Sequence, residues 1–162
     1  MTRSARSDGA IRRARPRDLE AVAGLWMDLS AHHAAFEPLF ALRAGAGQAV
    51  HRLLAAQLRD ANAALFVHDC GGGLDGFCSV RIDRAPPIHE EVVRAEITDV
   101  SVRPASRRRG IGRALVAAAL AWVRERGVAR VEVRVVAGNA EGQHFWRALG
   151  FDAFVDVLQR RL

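Results

Sequence analysis

TDVSVRPASRRRGIGRALVAAALAW, residues 98–122, reads as a strand, an arginine-rich loop and a helix. Val100 and Val102 alternate with Asp99 and Ser101, the period of a half-buried strand. Pro104 has no N–H to give to a ladder, so the strand ends about there. From Ile111 the apolar residues Ala114, Leu115, Ala118 and Trp122 recur at helical spacing. Between strand and helix lies Arg107-Arg108-Arg109-Gly110-Ile111-Gly112, at the helix start. A helix start presents free N–H groups and partial positive charge, which suit an anion. Gly110 and Gly112 lack a Cβ, so a bulky phosphate can come close to the backbone. Arginine adds charge-assisted hydrogen bonds of about 1.5–3 kcal/mol each. The combination favours a pyrophosphate.

Two common pyrophosphate loops are excluded. A nucleotide P-loop needs Gly-Lys-Ser/Thr, and the chain has no Lys. A dinucleotide fold needs a third glycine where Leu115 stands. The remaining pattern, R-x-x-G-x-G/A after a strand, resembles the signature of the GNAT superfamily, the acyl-CoA-dependent N-acyltransferases. A second stretch falls in register with it: Asn139, Phe145, Trp146, Gly150 and Phe151 resemble the closing motif of that family. The resemblance implies acetyl-CoA as cosubstrate, with its pyrophosphate held by the loop from Arg107 through Arg113. By motif register it implies Val100, Ser101 and Val102 for the pantetheine arm, and Asn139 and Trp146 around the thiol end.

Composition narrows the setting. Half of the 162 residues are hydrophobic, and the length suits one domain over residues 10–162. No apolar run approaches the roughly 20 residues that span a bilayer. Residues 1–9, MTRSARSDG, hold no apolar core of a secretory signal and read as a flexible tail, so a cytoplasmic protein is expected. The net charge is +6, carried entirely by Arg. No basic stripe is interleaved with aromatics, so nucleic acid is not expected as a partner. Cys70 and Cys78 show no framework spacing and read as free thiols, Cys78 as buried filler rather than a nucleophile.

The other elements are read in order. Ala10 to Arg15 is a strand, and Pro16, Asp18 and Glu20 open a helix whose apolar face is Leu19, Val22, Leu25, Trp26 and Leu29. Gly45 and Gly47 precede a helix bearing Val50, Leu53, Leu54 and Leu58. Residues 64–69 and 74–82 form a hairpin across Gly71-Gly72-Gly73, and a further strand runs from about Val92 to Val102. Gly127 closes the helix after residue 124. Residues 128–136 form a strand, 139–149 a helix stopped by Gly150, and 151–158 a final strand. The order β-α-α-β-β-β-α-β-α-β is an α/β fold (α+β mixed sheet), the GNAT-like arrangement that the resemblance implies.

The resemblance further implies an N-acetyltransferase in which a primary amine of a small molecule or peptide attacks the thioester directly. An alkyl ammonium has a pKa of about 10.4 in water, so a base or desolvation must remove its proton. Glu96 is the candidate base: with regular pairing it shares the strand face of Val100 and Val102, while Asp99 faces the other way. Some family members place the acid where Thr98 stands. Glu90 and Glu91, beside Pro86-Pro87, are placed to draw in a cationic acceptor. His32, His33 and Phe36, with Glu37, lie in the segment that shapes the acceptor site in this family; no metal-ligand set converges on them.

The chain departs from the family at Trp146, where many relatives carry the Tyr that protonates the leaving thiolate. It has no Tyr at all, and an indole N–H cannot release a proton at working pH. His144 points about 160° away from Trp146 on a helix and is a weak substitute. An acyl-CoA-binding module without turnover, or an acetyltransferase acting on aminoacyl-tRNA, are the alternatives; a homodimer follows from analogy with relatives alone. Gly110→Val is expected to raise the acetyl-CoA KM with little loss of fold, and Glu96→Gln to lower kcat with partial rescue at high pH.

Overall fold

The computed structural model describes residues 9–162. All of the expected tail but Gly9 lies outside the described residues. Five strands form one sheet in the order β1-β2-β3-β4-β5: β1 (Ala10–Arg13), β2 (Ala63–Asp69), β3 (Leu74–Arg84), β4 (Val93–Val102) and β5 (Val131–Val133). Neighbours pair antiparallel except β4 and β5, which pair parallel. The connections on either side of β4 fit the switch. The turn between β2 and β3 is too short for anything but reversal, whereas helix α3 (Ile111–Arg124) carries the chain back over the sheet between β4 and β5.

Helices α1 (Leu19–Ala34) and α2 (Ala46–Arg59) cover one face of the sheet; α3 and α4 (Ala140–Ala148) cover the other. β2 is buried on both sides because its alternate residues feed different cores. Leu65 and Val67 meet Phe77, Leu25 and Leu54, while Ala64 and Phe66 meet Cys78, Val80 and Leu115. Leu25, Leu54, Leu65, Phe77 and Leu115 are fully sequestered, each contributing about 1.5–3 kcal/mol of burial. α3 turns Ile111, Leu115, Val116, Ala119, Trp122 and Val123 inward, a stripe rotated slightly from that read through Ala114 and Ala118. No helix among the described residues is long and apolar enough to cross a membrane.

The expected mixed sheet stands, with three local corrections. β1 stops at Arg13 because the chain is already turning: the Arg15 N–H donates to Asp18 Oδ2 (2.7 Å), inside the 3-10 turn Pro16–Asp18. β5 keeps only three residues of the expected span from 128 to 136. The expected final strand from 151 to 158 is absent. Its apolar residues fall on both parities, and Phe154, Val155, Val157 and Leu158 are 69–91% exposed, so no single face is buried. A three-residue β5 also offers little ladder to pair with.

The fourth correction lies at the centre of the sheet. β4 pairs with β3 through Ile97↔Val80 and then Asp99↔Ser79, so Thr98 is an extra residue, a β-bulge. The bulge reverses the parity of β4. Ala95 and Ile97 pack on the α3 side, and beyond Thr98 so do Val100 and Val102. Glu96 therefore does not share a face with Val100 and Val102; it lies on the opposite side together with Asp99.

Candidate functional site

β5 pairs with β4 only across Ala95, Glu96 and Ile97. Residues 98–102 keep β3 on one side and have no strand partner on the other among the described residues. The fork opens a cleft of about 470 Å³ with walls from residues 98–102 and 133–136, α4 on one flank and α1 at the far end. Its floor is the start of α3.

That start is built to be empty of protein partners. Arg108 (φ 62°) and Gly110 (φ 79°) both take left-handed backbone, curling the loop into the helix. Such a conformation costs a non-glycine residue about 1–3 kcal/mol, and strain of this kind gathers at functional sites. No side chain among the described residues caps α3. Ala114 N donates to Gly110 O (3.0 Å), leaving the amides of Ile111, Gly112 and Arg113 without a main-chain acceptor among the described residues. The two glycines differ in role. A Cβ on Gly110 would meet nothing within 4 Å, whereas one on Gly112 would lie 3.3 Å from Phe145, so Gly112 is small because α4 packs there. Arg107 Nε donates to Val102 O (3.0 Å), tying the loop to the strand end. Arg107, Arg108 and Arg113 line the cleft; Arg109 is exposed outside it.

The helix on the flank contrasts with α3. Asn139 Oδ1 accepts from Gly142 N (2.9 Å) and caps α4, and the residue is 8% exposed where it lines the cleft. Trp146 lines the cleft too but belongs to the core, edge-on to Phe145 (5.1 Å) and Phe151 (5.0 Å). His144 is exposed on the cleft wall.

The two carboxylates of β4 diverge. Glu96 is absent from the cleft lining and engaged by Arg81 (2.7 Å) and Arg134 (3.5 Å). Asp99 lines the cleft, with Thr98 and the Trp26 side chain of α1 beside its carboxyl. Burial pushes its carboxyl above the usual range; Thr98, Trp26 and Arg81 oppose the rise and Glu96 adds to it. Sequence reading missed Asp99 because it assumed regular pairing, although the apolar parity changes across Thr98. On the α1 side, His32 and His33 line the cleft, and burial, with His32 nearby, lowers the His33 pKa.

Phe36 packs edge-on to His32 (5.1 Å) just beyond the lining. Glu90 sits on the exposed loop before β4 and is not brought to the cleft, and Glu91 pairs with Arg130 (2.9 Å). Among the described residues no group of three or more His, Cys, Asp or Glu is placed to hold a metal ion. Cys78 is buried, which pushes its thiol pKa up, and Cys70 is exposed; both are free.

The chain resembles known proteins over most of its length. A sequence model of the Acetyltransferase (GNAT) family matches residues 26–151. A mycothiol acetyltransferase of Clavibacter sepedonicus is 35% identical over 103 residues, which span 63% of this chain and 31% of that protein. In three dimensions, a tetramutant of the BH1408 protein from Bacillus halodurans superposes with a TM-score of 0.84 at 20% identity, covering 94% of this chain and 99% of that one. The aminoglycoside N-acetyltransferase AAC(6')-Iy in complex with CoA gives 0.75 at 22% identity, covering 95% and 94%.

Proposed function

Because the chain belongs to the GNAT acetyltransferase family, we propose that it is an N-acetyltransferase moving an acetyl group from acetyl-CoA to a primary amine of a small molecule or peptide by direct attack. One observation carries this reading. An uncapped helix start and a strand edge left open by the β4–β5 fork meet in the same cleft. Free amides and arginines suit a pyrophosphate, and an open strand edge suits the amide groups of a pantetheine arm.

Bound there, acetyl-CoA supplies an activated acyl carbon with a thiolate leaving group. Ile111, Gly112 and Arg113 offer amides, and Arg108 a guanidinium, to the diphosphate. Val100, Ser101 and Val102 offer main-chain groups to the arm and to the oxygen that gains charge as the carbonyl is attacked. Asp99 is the acceptor-side base in this reading, in place of Glu96. A carboxyl raised by burial takes a proton from an ammonium more readily than one in water, and before that it attracts the cation. Trp26 and Thr98 lie beside it and favour its ionised form. Glu96, held by Arg81 and Arg134, acts on Asp99 through its charge. Trp146 packs and transfers no proton; a thiol with an ordinary pKa of about 8.5 can leave largely as thiolate. The names of the similar enzymes favour a small-molecule amine over a peptide.

The packing of Trp146 where a proton donor would stand favours one second reading, an acyl-CoA-binding module without turnover. Calorimetry with CoA and acetyl-CoA, followed by thiol release across aminoglycosides, small amines and peptides, separates the two. Binding with amine-dependent thiol release is expected. Binding with no release from any amine favours the module, and no heat with either ligand removes both.

A further inference from the structure

His68 on β2 and Asp75 on β3 are buried polar residues of the sheet, 8% and 7% exposed. Burying either alone would be costly, so the pair must satisfy itself. His68 Nδ1 meets Asp75 Oδ1 in a hydrogen bond. Burial pushes the Asp75 carboxyl up, but bonds from His68 and Ser106 outweigh it and leave it below the usual range, hence ionised. An ionised carboxylate only accepts, so the imidazole Nδ1–H donates. A Cβ on Gly9 would stand 2.5 Å from His68 Cε1, so the chain entering β1 closes over the other side of the ring.

The pair sits at the root of the loop that reaches α3. Arg103 N donates to the Asp75 main-chain oxygen (2.7 Å), and Arg103 Nε donates to Leu74 O (3.1 Å). Arg103 leads into the 3-10 turn Pro104–Ser106, where Ser106 N donates to Arg103 O (2.9 Å). The Ser106 side chain lies beside the Asp75 carboxylate and favours its ionised form, and Ser106, Arg107 and Arg108 follow one another along the cleft wall. Asp75 thus meets the entry of this turn through its main-chain oxygen and the end of it through its carboxylate, and His68 fixes that carboxylate.

We propose that His68 and Asp75 are positioning residues that set the pyrophosphate loop from the strand ends beside it. This rests on the reading of the cleft as an acyl-CoA site. Neither residue lines the cleft, so their effect passes through Ser106 and is confined to the phosphate end of a ligand.

Calorimetry of the full chain with CoA and with pantetheine, which carries the thiol arm without phosphates, tests this. His68→Leu and Asp75→Asn are expected to weaken CoA binding roughly tenfold while pantetheine binding stays within about twofold. His68→Asn, which keeps a donor near the Nδ1 position, is expected to recover most of the CoA affinity. An equal loss for both ligands, or no loss of CoA affinity in a folded variant, overturns the proposal. Should His68→Leu fail to fold in a melting experiment, the near-isosteric Asp75→Asn decides by the same criterion. A wild-type protein that binds CoA no better than pantetheine overturns the diphosphate site itself, a distinct outcome.

Discussion

At Gly110 the backbone sits at φ 79°, where L side chains are strained even though a Cβ would have open space. Gly110→Val is therefore expected to lose about 1–2 kcal/mol of stability through the backbone, in contrast to the small loss read from sequence, and to raise the acetyl-CoA KM as well. Urea unfolding and steady-state kinetics measure the two effects separately. Asp99 carries the second prediction at this scale. Asp99→Asn is expected to lower kcat about 100-fold or more and to remove the acidic limb of the pH–rate profile. Its effect on stability has the opposite sign. A carboxyl whose folded pKa is raised holds its proton more tightly folded than unfolded, so its contribution is present at low pH. That contribution is lost as pH rises from the unfolded value of about 3.9 toward the folded one. At neutral pH the ionised carboxylate is a cost, and Asp99→Asn should melt no lower than wild type. Glu96→Gln should leave the acidic limb in place, because Glu96 lies outside the cleft lining, paired with Arg81 and Arg134.

Helices α3 and α4 show two uses of an N-terminus. Asn139 spends its side chain on α4, while the glycine before α3 has none to spend. α4 is only nine residues long, so its cap matters. Asn139→Ala is expected to cost about 1 kcal/mol, a fall in Tm of about 2–4 °C, read by thermal melting. Element positions were largely legible beforehand: the loop at Arg107–Gly112, the hairpin and the stripe of α3 follow from local turn chemistry and period. The bulge left a trace in the sequence, since Ala95 and Ile97 occupy odd positions and Val100 and Val102 even ones, but that pattern does not say which residue is the extra one or which side meets the cleft. Regular pairing was the wrong assumption to lay over that pattern. The final strand failed because a strand needs a partner edge, and alternation within one segment says nothing about whether an edge is there.

Across the whole molecule, Arg12 joins three elements. It meets both Asp18 oxygens through its two terminal nitrogens (2.7 and 2.9 Å) and Asp69 through Nε (3.0 Å). The network ties β1 to the turn before α1 and to the end of β2. The Arg12 hydrogen bond holds the Asp18 carboxyl below the usual range against the opposing pull of burial, helped by the Arg15 amide. A depressed carboxyl contributes stability above its unfolded pKa and loses it as pH falls through the folded one. Asp18→Asn is expected to cost about 1–3 kcal/mol at neutral pH, with the difference from wild type closing below about pH 4. Denaturant melts at neutral and acid pH would show it, and a difference that persists undiminished at acid pH would place the effect outside the ion pair.

Read alone, the sequence determined what short-range sterics and periodicity control: a strand stopped at Pro104, a glycine turn into α3, the hairpin of β2 and β3, and a family signature with acyl-CoA chemistry implied by it. Only the tertiary structure decided which carboxylate of β4 reaches the cleft, how far β5 accompanies β4 before the fork opens, and that His68 and Asp75 stand behind the loop. Those outcomes depend on register and on partners far apart in the chain. A one-residue slip at Thr98 exchanges the faces of everything beyond it, and contacts such as Asp99 with Trp26 exist only once α1 has packed on the sheet.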